Sequence, residues 1–147
     1  MNNNNIYTII KNKLRKLDQT KLYLEKLQKD LELLQEERQL KGISYDDIGG
    51  SRGNSVSDRT GETAVRIADK ETELRLEIKK VLNEVNHMEK LLNSLHEDER
   101  EVIIGIYMQG QQYWVVAQKM KCSITTAKRR RREAFDKILT GYYGNDC

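Results

Sequence analysis

The sequence predicts an all-α protein, with two long heptad-patterned helices forming a hairpin or coiled coil, followed by a three-helix helix-turn-helix module. Three observations carry this. The 147 residues include no proline, one Trp and one Phe, and a third of them are charged, a composition of long solvated helices rather than of a sheet core. Apolar residues recur at alternating three- and four-residue steps over two stretches, the spacing of a helical seam. Near the end, Ser123-Ile124-Thr125-Thr126 precedes five consecutive cations, Lys128 to Arg132.

Taken in order, the first helix is predicted from Ile6 to Lys41. Ile10, Leu17, Leu24 and Leu31 recur every seven residues, with Ile6, Leu27 and Leu34 on the companion seam. Leu14 and Leu33 are expected to widen the stripe. Gly42 suits the left-handed residue that ends a helix. Residues 42–61 hold five of the nine glycines and are predicted as a glycine-rich loop, pinned by Tyr45, Ile48 and Val56. Loops of this length are usually functional or disordered. The second helix is predicted from near Glu62, capped by Asp58 or Thr60. Leu74, Ile78, Val81, Val85, Met88, Leu92 and Leu95 continue an upstream register of Ala64, Ile67 and the charged Glu71. So regular a seam requires a partner helix, from the same chain or from a second copy. Residues 1–94 are accordingly read as a coiled-coil and oligomerisation region.

Residues 95–141 are read as the helix-turn-helix. Ser94 to Glu97 is expected to form a capping box opening a helix that runs to Met108, with Gly110 stopping it. A second short helix spans Tyr113 to Met120, with Val116, Ala117 and Met120 facing inward. Ser123 is a suitable N-cap for the last helix, whose apolar side is Ala127, Ala134, Phe135 and Ile138. Two short helices joined by a tight turn, the second capped and cationic, place guanidinium groups where a DNA major groove accepts them.

Charge supports that reading. The net charge is only +3, but residues 111–140 carry eight Lys or Arg against Glu133 and Asp136 alone. Residues 1–110 are close to neutral, with 18 basic and 20 acidic side chains. Such asymmetry points to a polyanion surface at one end of a neutral scaffold. Cys122 and Cys147 are too few for a disulfide framework or a zinc site and are expected as free thiols in a reducing cytoplasm. No apolar run reaches the roughly 20 residues of a membrane span, and the Asn-rich start has no signal-peptide character. His87 and His96 have no ligand-spaced company. Gly49-Gly50-Ser51-Arg52-Gly53 lacks the Gly-Lys-Ser/Thr ending of a phosphate-binding loop. No catalytic constellation, metal site or cofactor site is predicted, and the chain is not expected to be an enzyme.

Leu95, Arg100 and Val102, then Tyr107, Gly110, Tyr113 and Val116-Ala117, then Ser123, Thr126 and Lys128 together resemble region four of bacterial sigma factors. The chain departs from that pattern at Lys121, where the turn usually has Gly, and at Arg131, in a normally apolar position. Arg131 lies seven residues after Ile124 on the inward side, so its stem is expected to pack while its guanidinium reaches out. With 94 residues before the match, a complete promoter-melting sigma factor is not expected.

Tyr45-Asp46-Asp47, Gly49-Gly50, Ser57 to Thr60 and Ala64 to Asp69 are similar to segments of the RinA- and ArpU-like regulators of late phage genes. The resemblance implies a transcriptional regulator of phage late genes that binds double-stranded promoter DNA in the cytoplasm of a bacterial host, as a homodimer, with host RNA polymerase as a further candidate partner. A small terminase subunit-like packaging protein and a sigma-like polymerase-interacting factor are the alternatives.

On this reading Thr125, Thr126, Lys128, Arg129 and Arg132 meet base edges behind the Ser123 cap, because recognition helices present their N-terminal part to the groove. Lys119, Lys121 and Arg130 hold phosphates. Trp114 and Tyr113 are expected as packing groups rather than stacking platforms.

Overall fold

A computed structural model describes residues 3–40 and 57–144. Every element among the described residues is helical: α1 (Asn3–Arg15), α2 (Leu17–Leu40), α3 (Ser57–Asn93), α4 (Glu97–Ile103), a π-helical turn (Ile104–Met108), α5 (Tyr113–Lys119) and α6 (Ile124–Gly144). The all-α class expected from the sequence is the class observed. No helix is long and apolar enough to cross a membrane among the described residues.

Three details of the helices differ from expectation, although α4 starts at Glu97 as expected. The first helix is interrupted at Lys16. The Lys16 carbonyl accepts both the Thr20 N–H at 2.8 Å and the Thr20 hydroxyl at 2.9 Å, a local competition that loosens helices. The second helix spans Ser57–Asn93, so Ser57 to Gly61 are helical and the expected cap positions Asp58 and Thr60 lie within its first turn. Extending the helix through Gly61 costs about 1 kcal/mol of propensity, a penalty that packing at Ala64 and Ile67 outweighs. Ser94 does not open α4 either. Its hydroxyl donates to the Leu91 carbonyl at 2.7 Å and closes α3, and His96 is the N-cap. The Gly42 stop, Tyr45, Ile48, Val56, the 49–53 segment and the rest of the loop up to residue 56 lie outside the described residues.

Two compact units divide the described chain, with their boundary inside α2 and α3. In residues 22–83, α2 runs antiparallel to α3 of the same chain. Leu34 packs on Ala64 and Ile67, and the Tyr23 hydroxyl donates to Glu77 Oε1 at 3.4 Å. The expected seam is real: Leu24, Leu27, Ala64, Ile67, Glu71 and Val81 are buried, and Leu31, Leu34, Leu74 and Ile78 half-buried. Within the seam, Arg38 Nη1 bonds Glu71 Oε2 at 3.1 Å, with the carboxylate side chain 1% exposed. Leu33, expected to widen the stripe, is exposed instead, as are Leu22 and Leu76. Two helices alone cover only one side of each other, and a groove of about 540 Å³ remains beside Tyr23, Leu27, Leu34 and Leu74.

The other unit joins residues 1–21 to residues 84–147. The change of sequence pattern at 94/95 therefore does not coincide with the packing, since α1 and the end of α3 share a core with α4, α5 and α6. Ile10, Leu14 and Leu17 from α1 and α2, Val85, Met88 and Leu92 from α3, and Val102, Ile103, Ala127, Phe135 and Ile138 from the C-terminal helices are all buried. Gly105 and Gly141 permit close approaches, because a Cβ would lie 2.9 Å from Val116 Cγ2 at the first and 2.8 Å from Leu91 Cδ2 at the second. Gly110, at φ +64°, supplies the left-handed residue that stops the π-helical turn.

Candidate nucleic-acid interface

The turn between α5 and α6 is a Schellman motif. The Cys122 N–H donates to the Ala117 carbonyl at 3.0 Å and the Lys121 N–H to the Gln118 carbonyl at 3.2 Å, the paired bonds that close a helix C-terminus. The motif needs a left-handed residue, and Lys121 takes it at φ +55°, at a cost of about 1 kcal/mol for a side chain other than glycine. The turn expected from the sequence thus forms without its usual glycine.

Ser123 then caps α6 as expected. Its hydroxyl accepts the Thr126 N–H at 3.1 Å and donates to the Thr126 hydroxyl at 2.8 Å. That engagement distinguishes Thr126, half-buried, from Thr125, which is exposed. Ala127, Ala134 and Ile138 bury one side of α6. At 3.6 residues per turn, Thr125, Arg129, Arg132 and Asp136 fall on the opposite side, and all four are exposed. Lys128 flanks them with its ammonium 5.5 Å from the centre of the Tyr113 ring, a cation–π contact that steadies a flexible side chain.

Other candidates are placed differently. Lys119, Lys121 and Ser123 are exposed around the turn. Arg129 also reaches Glu133 at 4.0 Å, but its side chain keeps 60% of its exposure, so the pair is a weak surface one. Arg130 lies 3.8 Å from Asp98 at the start of α4, and a phosphate would have to compete with that carboxylate. Ile124, expected inward, is 45% exposed at the tip of the helix. Trp114 is 56% exposed, with its indole N–H donating to Gln112.

Arg131 is the largest departure. Its guanidinium does not reach out. It turns in, and Nη1 donates to the hydroxyls of Tyr7 and Tyr107 at 3.0 Å each, while the two hydroxyls bond one another at 3.0 Å. Phe135 packs beneath, with ring centroids 4.4 Å from Tyr7 and 5.5 Å from Tyr107. Burial, reinforced by the bond to Tyr7 and outweighing the bond from Arg131, pushes the Tyr107 hydroxyl up to about 12, so the cluster is a neutral cradle around a cation. Arg131 Nε is buried without a hydrogen-bond partner.

Behind the interface, burial pushes the Glu99 carboxyl up. The Lys137 ammonium bonded at 2.7 Å and the His96 N–H more than offset that and hold it below its ordinary value. Tyr7, Asp98 and Asp136 were not singled out as site residues by their sequence context, and Tyr107 only as part of the sigma-like pattern. Asp136 alone had a usable signal, its four-residue step from Arg132. Among the described residues, no group of three or more His, Cys, Asp or Glu side chains is placed to hold a metal ion.

The model of one protein family covers residues 10–140. The chain belongs to the family described as "Protein of unknown function (DUF722)". The family match spans α1 from Ile10, both long helices and nearly all of α6, so the helical hairpin and the cationic helix belong to one family architecture. No curated protein and no solved structure gives a significant match.

Proposed function

We propose that this DUF722 protein is a sequence-specific double-stranded DNA-binding regulator of transcription, acting on phage late genes in the bacterial cytoplasm as a homodimer, without a catalytic step or cofactor. One observation carries the reading. A Ser123-capped helix follows a tight Schellman turn and presents Thr125, Arg129 and Arg132 on its outward face, with Lys128 beside them and Lys119 and Lys121 at the turn.

Arginine can grip guanine through two parallel bonds, a threonine methyl can contact thymine, and Asp136 can accept from a cytosine amino group. Arg130 and the turn lysines hold phosphates and set register. The dimer is supported by the hairpin of residues 22–83, which leaves Leu31, Leu34, Leu74 and Ile78 of its seam only partly covered and exposes Leu22, Leu33 and Leu76. Host RNA polymerase is a further partner on the sigma-like reading of α4 to α6.

The test is a duplex titration across salt concentrations. With about five phosphates neutralised per protomer, log affinity falls against log salt with a slope of about −4.5. Affinity indifferent to salt would overturn the proposal. Selection from random duplexes should return a palindrome, as a two-fold dimer requires. A large closed ring by light scattering would favour the packaging alternative.

A further inference from the structure

We propose that Tyr7, Tyr107 and Arg131 form a positioning device that makes the N-terminal helix part of the DNA-reading unit, by fixing which way α6 faces. The inference rests on the DNA-binding reading above, but its first consequence can be measured without DNA.

A run of five cations poses a problem of register. Lys128 to Arg132 all carry long charged side chains, and a rotation of α6 by one residue, about 100°, would exchange one cation for the next at every position. Charge alone cannot tell the helix which of them to turn inward. The rotation matters, because it would carry Thr125, Arg129 and Arg132 off the outward face.

The tyrosine cluster removes the ambiguity. Arg131 shares a side with Ala127, one turn before it, and with Phe135, one turn after, both buried. Its Nη1 meets two hydroxyls that arrive from α1 and from the π-helical turn, 124 and 24 residues away. The Tyr7–Tyr107 bond closes the ring, and the Tyr7 ring seats on Phe135 of the same helix. Guanidinium carries several donors in a rigid plane and so can serve two acceptors at once. The acceptors are neutral hydroxyls, so none of the three bonds sets a carboxylate against the cationic helix. Arg131 is therefore a positioning residue. It touches no DNA and acts through the orientation of its neighbours.

The experiment uses the full chain and the variants Tyr7→Phe and Arg131→Met. Tyr7→Phe removes a single oxygen far from any base and keeps the ring on Phe135. Amide hydrogen exchange is measured first. Tyr7→Phe is expected to speed exchange in residues 124–132 of α6, and Arg131→Met to speed it in α1. Unchanged α6 exchange in Tyr7→Phe overturns the coupling.

Duplex binding is measured second, on a site recovered by selection and on a random duplex. Each variant should lose about tenfold on the selected site, the scale of one hydrogen bond to a charged group. The random duplex should be bound as before, and the salt slope should not change. A slope smaller by about one unit in Arg131→Met would identify a direct phosphate contact and overturn the positioning role. A parent chain that binds no duplex at all would defeat the functional reading, leaving the exchange data to decide the coupling. Should Arg131→Met fail to fold, Tyr7→Phe carries both measurements.

Discussion

Arg38 and Arg131 both turn inward, and the two units accommodate them in opposite ways. In the hairpin, Arg38 meets the buried carboxylate of Glu71 at 3.1 Å. In the unit containing α6, Arg131 meets the two tyrosine hydroxyls at 3.0 Å. A charged pair inside an apolar seam is a weak source of net stability but a strong one of register, because a slipped seam strands a charge. A neutral cradle fixes direction as well, yet it leaves the cation's charge in place. The first solution suits a scaffold, and the second suits a helix whose positive charge is its proposed means of recognition.

The largest effect should come from breaking the seam pair on one side. Arg38→Ala is expected to destabilise residues 22–83 by about 3 kcal/mol, as removal of one partner from a buried pair does, whereas the double change Arg38→Met with Glu71→Leu should recover most of that loss. Denaturant unfolding of the three proteins decides it, and a double variant as unstable as the single would show that the pair does more than hold register.

Arg131→Met should cost less, about 2 kcal/mol, because the two tyrosines left behind are neutral and still bond one another. A cost equal to that of Arg38→Ala would mean that the cradle is no gentler than the ion pair.

The smallest effect is one of pH. The Tyr107 hydroxyl is held up to about 12 from an ordinary 10, so the folded protein keeps that proton longer than the unfolded chain. The stability linked to this group is complete below about pH 10 and is lost as pH rises toward about 12. Ultraviolet titration of phenolate should show one tyrosine titrating late, and that late step should vanish in Tyr107→Phe.

Much of the hairpin was legible because its information is local and periodic. The 4-3 steps from Leu74 to Leu95 fix the buried face of α3, and Glu71 announced itself as the charged position in the seam. The Ser123 cap and the Gly110 stop were equally readable, since each acts within a turn or two of chain. What escaped was non-local. Tyr7 and Arg131 are 124 residues apart, and no spacing rule links an N-terminal tyrosine to one arginine among five cations. The departure of Arg131 from an apolar pattern did indicate an inward residue, but not that its guanidinium would come with it. Leu33 and Ile124 failed for a related reason: apolar character marks a candidate for burial, and only the number of neighbouring helices decides whether burial happens. The helical course of Ser57 to Gly61 reflects packing downstream that overrides the turn-forming composition of that stretch.

Lys121 has a consequence for the population of folded molecules. Holding a lysine in a left-handed conformation for about 1 kcal/mol lowers the ratio of folded to unfolded chains by about fivefold. Lys121→Gly would return that factor and in the same step remove a cation from the edge of the proposed groove contact. Residue 121 is therefore a position where the abundance of the folded protein and its proposed grip on DNA pull in opposite directions, and where a gain in one would be measured as a loss in the other.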